Sequence, residues 1–381
     1  MRRIYQAILI ALLAFFLRAY LAYTGPIEND EVVYAENVVQ FNLALRQGNW
    51  NQILDTTFIT EHPPFYKLVY AAALFTSRPI LDYVPLNAGD PLSAVPYWLK
   101  LFSLRLISAF FGAAAVFLLC LVHPLAGLFL AIDTLGIKYT SVIYLDALPA
   151  FTGLVAFLAA LKALDLYQKR PGRRWAVWLV LSALALGITA ASKYIHALVG
   201  LAIIAAIILR GWKQKLPVLL GLAAWGVLSL AFFFMFDPVL WHDPLTRLSS
   251  SVLISYGYSF TSHVTHFGYP FWQPIQWLLL PIPLQSYQQV AFRVGPGNYF
   301  ILADSVIFFL ALVGLPALYR KNKPMLLWLV IGLAILLVWS TKWPQYTLLI
   351  LPPLCMSAAC GFDFIRSRLP KAWAKITPPG T

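Results

Sequence analysis

The chain has 381 residues, 60% of them hydrophobic and 11% charged, with a mean hydropathy of +0.74. Soluble domains carry roughly 25% charged residues, so a soluble globular class is excluded in favour of a polytopic membrane protein. The net charge of +13 comes from short basic clusters between apolar runs, which is an orientation signal and not a polyanion-binding surface, so no nucleic-acid partner is expected.

The chain opens with Met1-Arg2-Arg3 and an apolar run to about Tyr23. No small-residue cleavage site follows, which predicts a retained first helix and not a signal peptide. Arg18, near the far end of that run, is expected to snorkel to the interface. A crossing needs about 20 mainly apolar residues. The candidate spans are 4–23, 101–121, 125–142, 147–166, 175–192, 195–210, 216–236, 300–319, 324–341 and 345–365. Asp133 and Lys138 fall inside one of them and are expected to pair across about one turn. The expectation is an all-α bundle of about ten spans, one domain over 1–381, with no soluble domain.

Basic clusters sit at Arg2-Arg3, Lys169–Arg174, Arg210–Lys215, Arg320–Lys323 and Arg366–Lys375. Placing all five in the cytoplasm puts both termini inside and demands an even number of crossings between clusters. Residues 64–80 and 270–285 are proline-broken, and a lone crossing by 64–80 would put the 169–174 cluster outside. Both are expected to lie in the outer interface, within two large outer regions at 24–99 and 237–299. The tail from Leu369 reads as a short basic anchor. Cys120, Cys355 and Cys360 lie in apolar runs and suggest neither a disulfide framework nor a zinc cluster.

Acids gather at the outer edge: Glu28, Asp30 and Glu31, then Glu36, and Glu61-His62 before Pro63-Pro64. Asp146 begins one apolar span and Lys193 ends another. An ionisable group at membrane depth is costly and points to a functional site with a partner. The alternative for Asp146 is a helix N-cap, and for Lys193 snorkelling. Carboxylates and cations on one water-facing edge suit a transfer reaction. A base takes the acceptor's proton, and cations stabilise a phosphate leaving group. Tyr and Trp rings offer flat faces for a sugar. A substrate with a surface phosphate and a bilayer tail is a polyprenyl phosphate.

The ordered motifs are Asp30-Glu31 with Tyr34-Ala35-Glu36, Gly48-Asn49-Trp50, Glu61-His62-Pro63-Pro64, Arg105 to Gly112, Leu145-Asp146-Ala147-Leu148, Ser192-Lys193-Tyr194, and Thr341-Lys342-Trp343-Pro344-Gln345-Tyr346. Together they resemble the membrane GT-C glycosyltransferases, most of all the protein O-mannosyltransferase and lipid A aminoarabinose transferase group. The likeness runs from about residue 1 to 365. It implies a GT-C fold and an inverting glycosyltransferase in a cell membrane, or in the endoplasmic reticulum membrane of a eukaryote. The site would be extracytoplasmic. The sugar, mannose or another hexose, would pass from a polyprenyl- or dolichyl-phosphate donor to a protein or glycan acceptor.

By that resemblance Asp30, Glu31 and Asp146 are the catalytic candidates, with Asp30 as base. Arg105, Lys193 and Lys342 face the donor phosphate, and Tyr34, Glu61, His62, His242 and Tyr346 line the substrate site. Two features depart from the relatives: the chain is far shorter, and Val32-Val33 stand where aminoarabinose transferases carry an Arg, which favours a protein or surface-glycan acceptor. No cofactor is required by the residues. His242, Asp243, His263 and His266 are candidate ligands for a divalent metal, though no motif closes a site. The rival functions are a transporter or flippase for a lipid-linked sugar, whose polar groups would sit at the midplane of repeated halves, and a non-catalytic subunit of a glycosylation complex.

Overall fold

The computed structural model describes residues 2–54, 62–75, 95–169, 173–211, 215–280 and 301–368, and among these no strand is present. The order begins with α1 (Arg2–Thr24), α2 (Asn29–Gln47), α3 (Trp50–Leu54), α4 (Phe65–Phe75), α5 (Val95–Val122), α6 (Pro124–Ile132) and α7 (Thr134–Tyr139). Then come α8 (Ala147–Lys169), α9 (Arg173–Ser192), α10 (Tyr194–Ala197), α11 (Val199–Gly211) and α12 (Lys215–Phe236). The last are α13 (Pro244–Tyr258), α14 (Ser262–Phe267), α15 (Gln273–Leu279), α16 (Ile301–Lys321), α17 (Lys323–Val338) and α18 (Leu351–Arg368).

Among the described residues six helices are long and apolar enough to cross a membrane: Arg3–Thr24, Leu101–Val122, Ala147–Lys169, Arg173–Ser192, Leu219–Phe236 and Ala303–Lys321. Shorter apolar helices run Phe65–Leu74, Tyr194–Arg210 and Lys323–Val338. Both the long helices and α11 and α17 expose Leu, Val and Phe outwards, for example Leu9, Val227, Phe309 and Val330. A helix that is apolar on its outer face as well as its inner one suits a lipid surrounding.

Three expected spans are interrupted. The 125–142 segment breaks at Asp133, whose backbone is extended and whose carboxylate accepts the Gly136 N–H at 2.7 Å, starting α7. A polar residue that can cap a new helix ends the old one. The 195–210 segment splits at Leu198 into α10 and α11. The 345–365 segment begins with a 3-10 turn, Pro344–Leu349, before α18, whose Pro352 and Pro353 fall in the first turn, where a missing N–H leaves no bond unmade.

The side-chain pairings also differ from the sequence expectations. Arg18 does not snorkel. It is buried in the bundle, where its guanidinium donates to Thr140 Oγ1 at 2.7 Å and to the carbonyls of Ala14, Ala131 and Leu130. The break at 132–134 frees the Leu130 and Ala131 carbonyls from regular helix, and a guanidinium with five donors satisfies them together with the Thr140 hydroxyl. Asp133 does not pair with Lys138 either. Lys138 reaches Glu28, with Nζ–Oε1 at 3.1 Å.

Of the segments expected in the outer interface, 65–75 forms α4, which packs on α2 with Tyr66, Lys67 and Tyr70 fully buried. Within 270–285 the described residues, 270–280, contain α15, with Trp277 buried. Glu61, Asp55 and the 369–381 tail lie outside the described residues. The main core joins α1, α5, α6, α8, α9, α11, α16, α17 and α18. A second core seats α2 and α4 over the start of α5 and residues 143–148.

The helix ends sort by charge. The pairs α8–α9 and α16–α17 turn at the Lys169–Arg173 and Lys321–Lys323 ends, and Arg210 Nη1 meets Asp165 Oδ1 at 2.6 Å beside the first of these. His123, between α5 and α6, bonds Asp363 near the Arg366 end of α18. The opposite ends carry Pro26, Asp146, Lys193, Asp237 and Trp343.

Candidate active site

A cavity of about 470 Å³ opens among those opposite ends. Its acids are Glu28 and Asp30, its cations Lys138 and Lys193, and its imidazoles His62 and His263. Tyr34, Tyr139, Tyr144, Tyr258, Trp343 and Tyr346 supply aromatic walls. Of the sequence candidates, Asp30, Lys193, Tyr34, His62, His263 and Tyr346 therefore share one space.

Glu31 and Arg105 stand behind the wall. Arg105 is 1% exposed and Glu31 0%, and they form a two-pronged pair: Nε to Oε1 at 2.9 Å and Nη2 to Oε2 at 2.5 Å. Arg105 also donates to the carbonyls of Ala22, Gly25 and Pro26, while Glu31 accepts from the backbone N–H of Ile143 and Glu28. The fork geometry of arginine suits such bidentate pairing. The pair clamps the end of α1, the start of α2, α5 and the 140–146 turn into one corner, and Asp30 projects from that corner into the cavity. Neither Glu31 nor Arg105 lines the cavity.

Asp146 is also buried, at 0% exposure. Its Oδ2 accepts Lys193 Nζ at 2.7 Å and its Oδ1 lies 2.9 Å from His196 Nε2. Its carboxylate is thus spent on side chains, while its place before α8 lets the helix N-terminus favour the charge. Leu145, buried beside it, holds φ at 62°, the one positive φ among described non-glycine residues. Such a backbone costs of order 1–3 kcal/mol and persists only where the surroundings impose it. Here it turns the Tyr144 carbonyl and the Asp146 carboxylate to the same ammonium, since Lys193 Nζ also donates to Tyr144 O at 3.2 Å.

Lys193 sits at the joint between α9 and α10 with an extended backbone, and its ammonium lies 5.5 Å from the centre of the Tyr346 ring. The joint lets Lys193 and His196 reach one carboxylate. Partial burial raises the Asp30 carboxyl above the usual carboxylate range; Lys193 and His263 oppose that rise, and Glu28 and Asp146 add to it. A carboxylate with raised proton affinity is a better base near neutral pH.

Lys342 lies outside this cavity. Its ammonium donates to the carbonyls of Leu336, Leu337 and Trp339, closing the C-terminus of α17, and burial lowers its proton affinity. A lysine at that end satisfies orphan carbonyls and complements the helix dipole. His242 and Asp243 are exposed on the approach to α13, and Asp243 caps Thr246 N at 3.3 Å. His263 packs its ring 5.5 Å from Trp343, and His266 lies outside the cavity against Phe267. Among the described residues no three His, Cys, Asp or Glu side chains gather as a metal-binding group. Glu61 cannot be located among the described residues.

His196, Glu28 and Lys138 belong to the site or its support but were not among the site candidates drawn from the sequence, where Glu28 stood only in the acid cluster and Lys138 only as a partner for Asp133. His196 follows Lys193 by one turn, and Glu28 precedes Asp30 by two positions. Those spacings were the available signals, but each residue looks like an ordinary interfacial polar group until its partner is known. Tyr144 donates its hydroxyl to Glu28 Oε2 at 3.0 Å. Burial first, then the Glu28 carboxylate, holds that phenol protonated, well above its usual range.

Known proteins share this architecture. The crystal structure of ArnT from Cupriavidus metallidurans in the apo state superposes with a TM-score of 0.62 at 16% identity, covering 97% of this chain and 60% of that one. The archaeal oligosaccharyltransferase AglB from Archaeoglobus fulgidus, in complex with an inhibitory peptide and a dolichol-phosphate, gives 0.51 at 13% identity, covering 100% and 52%. The chain thus spans a little over half the length of these neighbours and has their fold. No curated protein sequence matches it significantly. The family model for dolichyl-phosphate-mannose-protein mannosyltransferase matches residues 8–243, more than half of the chain, and the protein belongs to that family.

Proposed function

We propose that this chain is an inverting membrane glycosyltransferase. It moves one hexose, mannose first among candidates, from a polyprenyl- or dolichyl-phosphate donor to a hydroxyl of a protein or glycan acceptor. The observation that carries the reading is that Asp30 and the Asp146-anchored Lys193 line one cavity at the helix ends. Asp30 takes the acceptor proton as the acceptor oxygen attacks the anomeric carbon. The bond from that carbon to the phosphate oxygen breaks, its electron pair stays on the phosphate, and Lys193 stabilises the charge that grows there. Attack opposite the leaving group inverts the anomeric centre. Tyr346, Tyr34 and His62 offer ring faces and a polar edge to the substrates. Because Glu31, Arg105 and Asp146 are buried, they hold the site and do not touch substrate.

The reading includes about ten crossings, with the broken α6–α7 and α10–α11 pairs, α17 and α18 as the additional ones, and both termini cytoplasmic. It is supported by the basic residues Lys169, Arg173, Arg210, Arg320, Lys321 and Arg366, which lie at helix ends opposite the cavity. The cavity then faces the extracytoplasmic side. The dolichol-phosphate of the AglB neighbour and the name of the family are consistent with a lipid-phosphate donor.

The test is transfer from labelled polyprenyl-phosphate hexoses to a panel of peptide and glycan acceptors by purified wild-type protein and Asp30→Asn. Loss of transfer by about 10²–10⁴-fold, with unchanged thermal unfolding, is expected. Undiminished transfer by the variant would overturn the assignment.

A further inference from the structure

Two ion pairs border the cavity, and they present different faces to it. At Asp146–Lys193 the carboxylate is wholly buried, so the cavity meets only the ammonium. At Glu28–Lys138 both partners line the cavity, with Glu28 24% exposed and Lys138 6%. The Tyr144 hydroxyl, also in the lining, fixes the second Glu28 oxygen, and the Tyr139 ring flanks Lys138 at 5.2 Å. The first pair offers a cation. The second offers an acceptor and a donor side by side, with no net charge, next to an aromatic face.

We propose that Glu28 and Lys138 form a sugar-hydroxyl subsite, in which adjacent hydroxyls of a hexose ring donate to Glu28 and accept from Lys138. The chemistry selects this ligand over a second phosphate. A phosphate here would meet the Glu28 carboxylate, which Lys138 neutralises only once, and like charges at such range repel. A neutral diol matches both groups without breaking the pair. An ionised carboxylate has about four lone-pair sites, and two are used by Lys138 and Tyr144. Glu28 precedes the first turn of α2 and Lys138 belongs to α7, so the subsite ties the corner bearing Asp30 to the broken helix across from it. Glu28 and Asp30 line the same cavity, so a ring held at Glu28 shares the space of the proposed base.

The subsite rests on the cavity being a glycosyl-transfer site, and the ring it holds is either the donor's sugar or a sugar of the acceptor. Both sources are separated with wild-type protein and Glu28→Gln, which keeps size and shape, in lipid nanodiscs. Lys138→Met serves as a second variant, and thermal unfolding is recorded for each. Binding of a sugar-free polyprenyl phosphate should be unchanged in Glu28→Gln. A donor-sugar site weakens polyprenyl-phosphate hexose binding about 10–100-fold, the range for losing a hydrogen bond to a charged group. An acceptor-sugar site instead raises the KM of a glycosylated acceptor by that range and spares a plain peptide. Hexoses lacking one ring hydroxyl identify the partner, because the sensitive deoxy analogue no longer distinguishes wild type from variant.

Equal weakening of sugar-free and sugar-bearing ligands, or no change in either, overturns the subsite. Saturation-transfer NMR with free methyl hexosides reads it independently of transfer. If wild type binds no polyprenyl phosphate, the functional reading fails. The subsite then stands only if Glu28→Gln still abolishes the hexoside signal, and falls if it does not.

Discussion

Asp146 and Lys193 are 47 positions apart in the chain, yet the carboxylate and the ammonium meet at 2.7 Å beneath the cavity floor. His196 holds the other carboxylate oxygen at 2.9 Å, so the three side chains form one unit with a single member facing the cavity. The arrangement keeps a cation at the cavity wall without leaving its charge unpaired.

A unit of this kind predicts non-additive losses. Lys193→Met should lower transfer by about 10²–10³-fold, the size of effect seen when a preorganised electrostatic group is removed. Asp146→Asn should cost a similar amount by leaving the ammonium untethered. The double variant should be no worse than the weaker single one. Initial rates of the three proteins check this, and multiplicative losses would show that the residues act separately.

Acidity gives a second test. The proposed base, Asp30, can accept a proton only when ionised, so the rate should fall as pH drops through its folded pKa. Partial burial raises that pKa, so the acid limb of the kcat profile should lie above the usual carboxylate range near 4. Glu28→Gln removes a negative neighbour and should move the limb to lower pH. Lys193→Met removes a positive one and should move it to higher pH. Shifts of the opposite sign in the residual rates would dismiss Asp30 as the titrating group.

The Glu31–Arg105 clamp should reveal itself in stability. Removing one partner of a buried ion pair leaves an uncompensated charge and costs about 3–5 kcal/mol. Arg105→Met also frees the carbonyls of Ala22, Gly25 and Pro26. A marked fall in unfolding temperature in detergent is expected, with polyprenyl-phosphate binding by the folded fraction retained. If Arg105→Met unfolded like wild type but lost donor binding, Arg105 would be a phosphate ligand after all.

Backbone proximity sets a further limit. A Cβ at Gly361 would run into the Leu310 carbonyl, and one at Gly314 into the Ser357 carbonyl, so α16 and α18 touch main chain to main chain. Small residues permit that approach between apolar helices. Gly361→Leu should separate the pair and reduce thermal stability, by an amount comparable to an overpacked core, about 1–3 kcal/mol. An unchanged unfolding curve would argue against so close a crossing.

From the sequence alone came the helical membrane class, the positions of the long apolar helices and the family likeness. These depend on composition, on runs of about 20 apolar residues and on short motifs, all local properties of the chain. Lys193 stood out because a charge at the end of an apolar run is conspicuous without knowing its neighbours, and Asp30 through the acid cluster and the family motif. Partnership was not legible. Asp30 and Glu31 are adjacent residues of one motif, but α2 turns one into the cavity and the other onto Arg105, 74 positions away. Lys138 stands near Asp133 in sequence, and the break at Asp133 sends it to Glu28 instead. Arg18 looks like an interfacial residue until the bends at 132–134 and 140–146 supply oxygen atoms for it inside the bundle. A buried charge is tolerated only with a partner. That partner is chosen by which distant segments pack together, so tertiary structure alone decided which charges face the cavity and which are buried against one another.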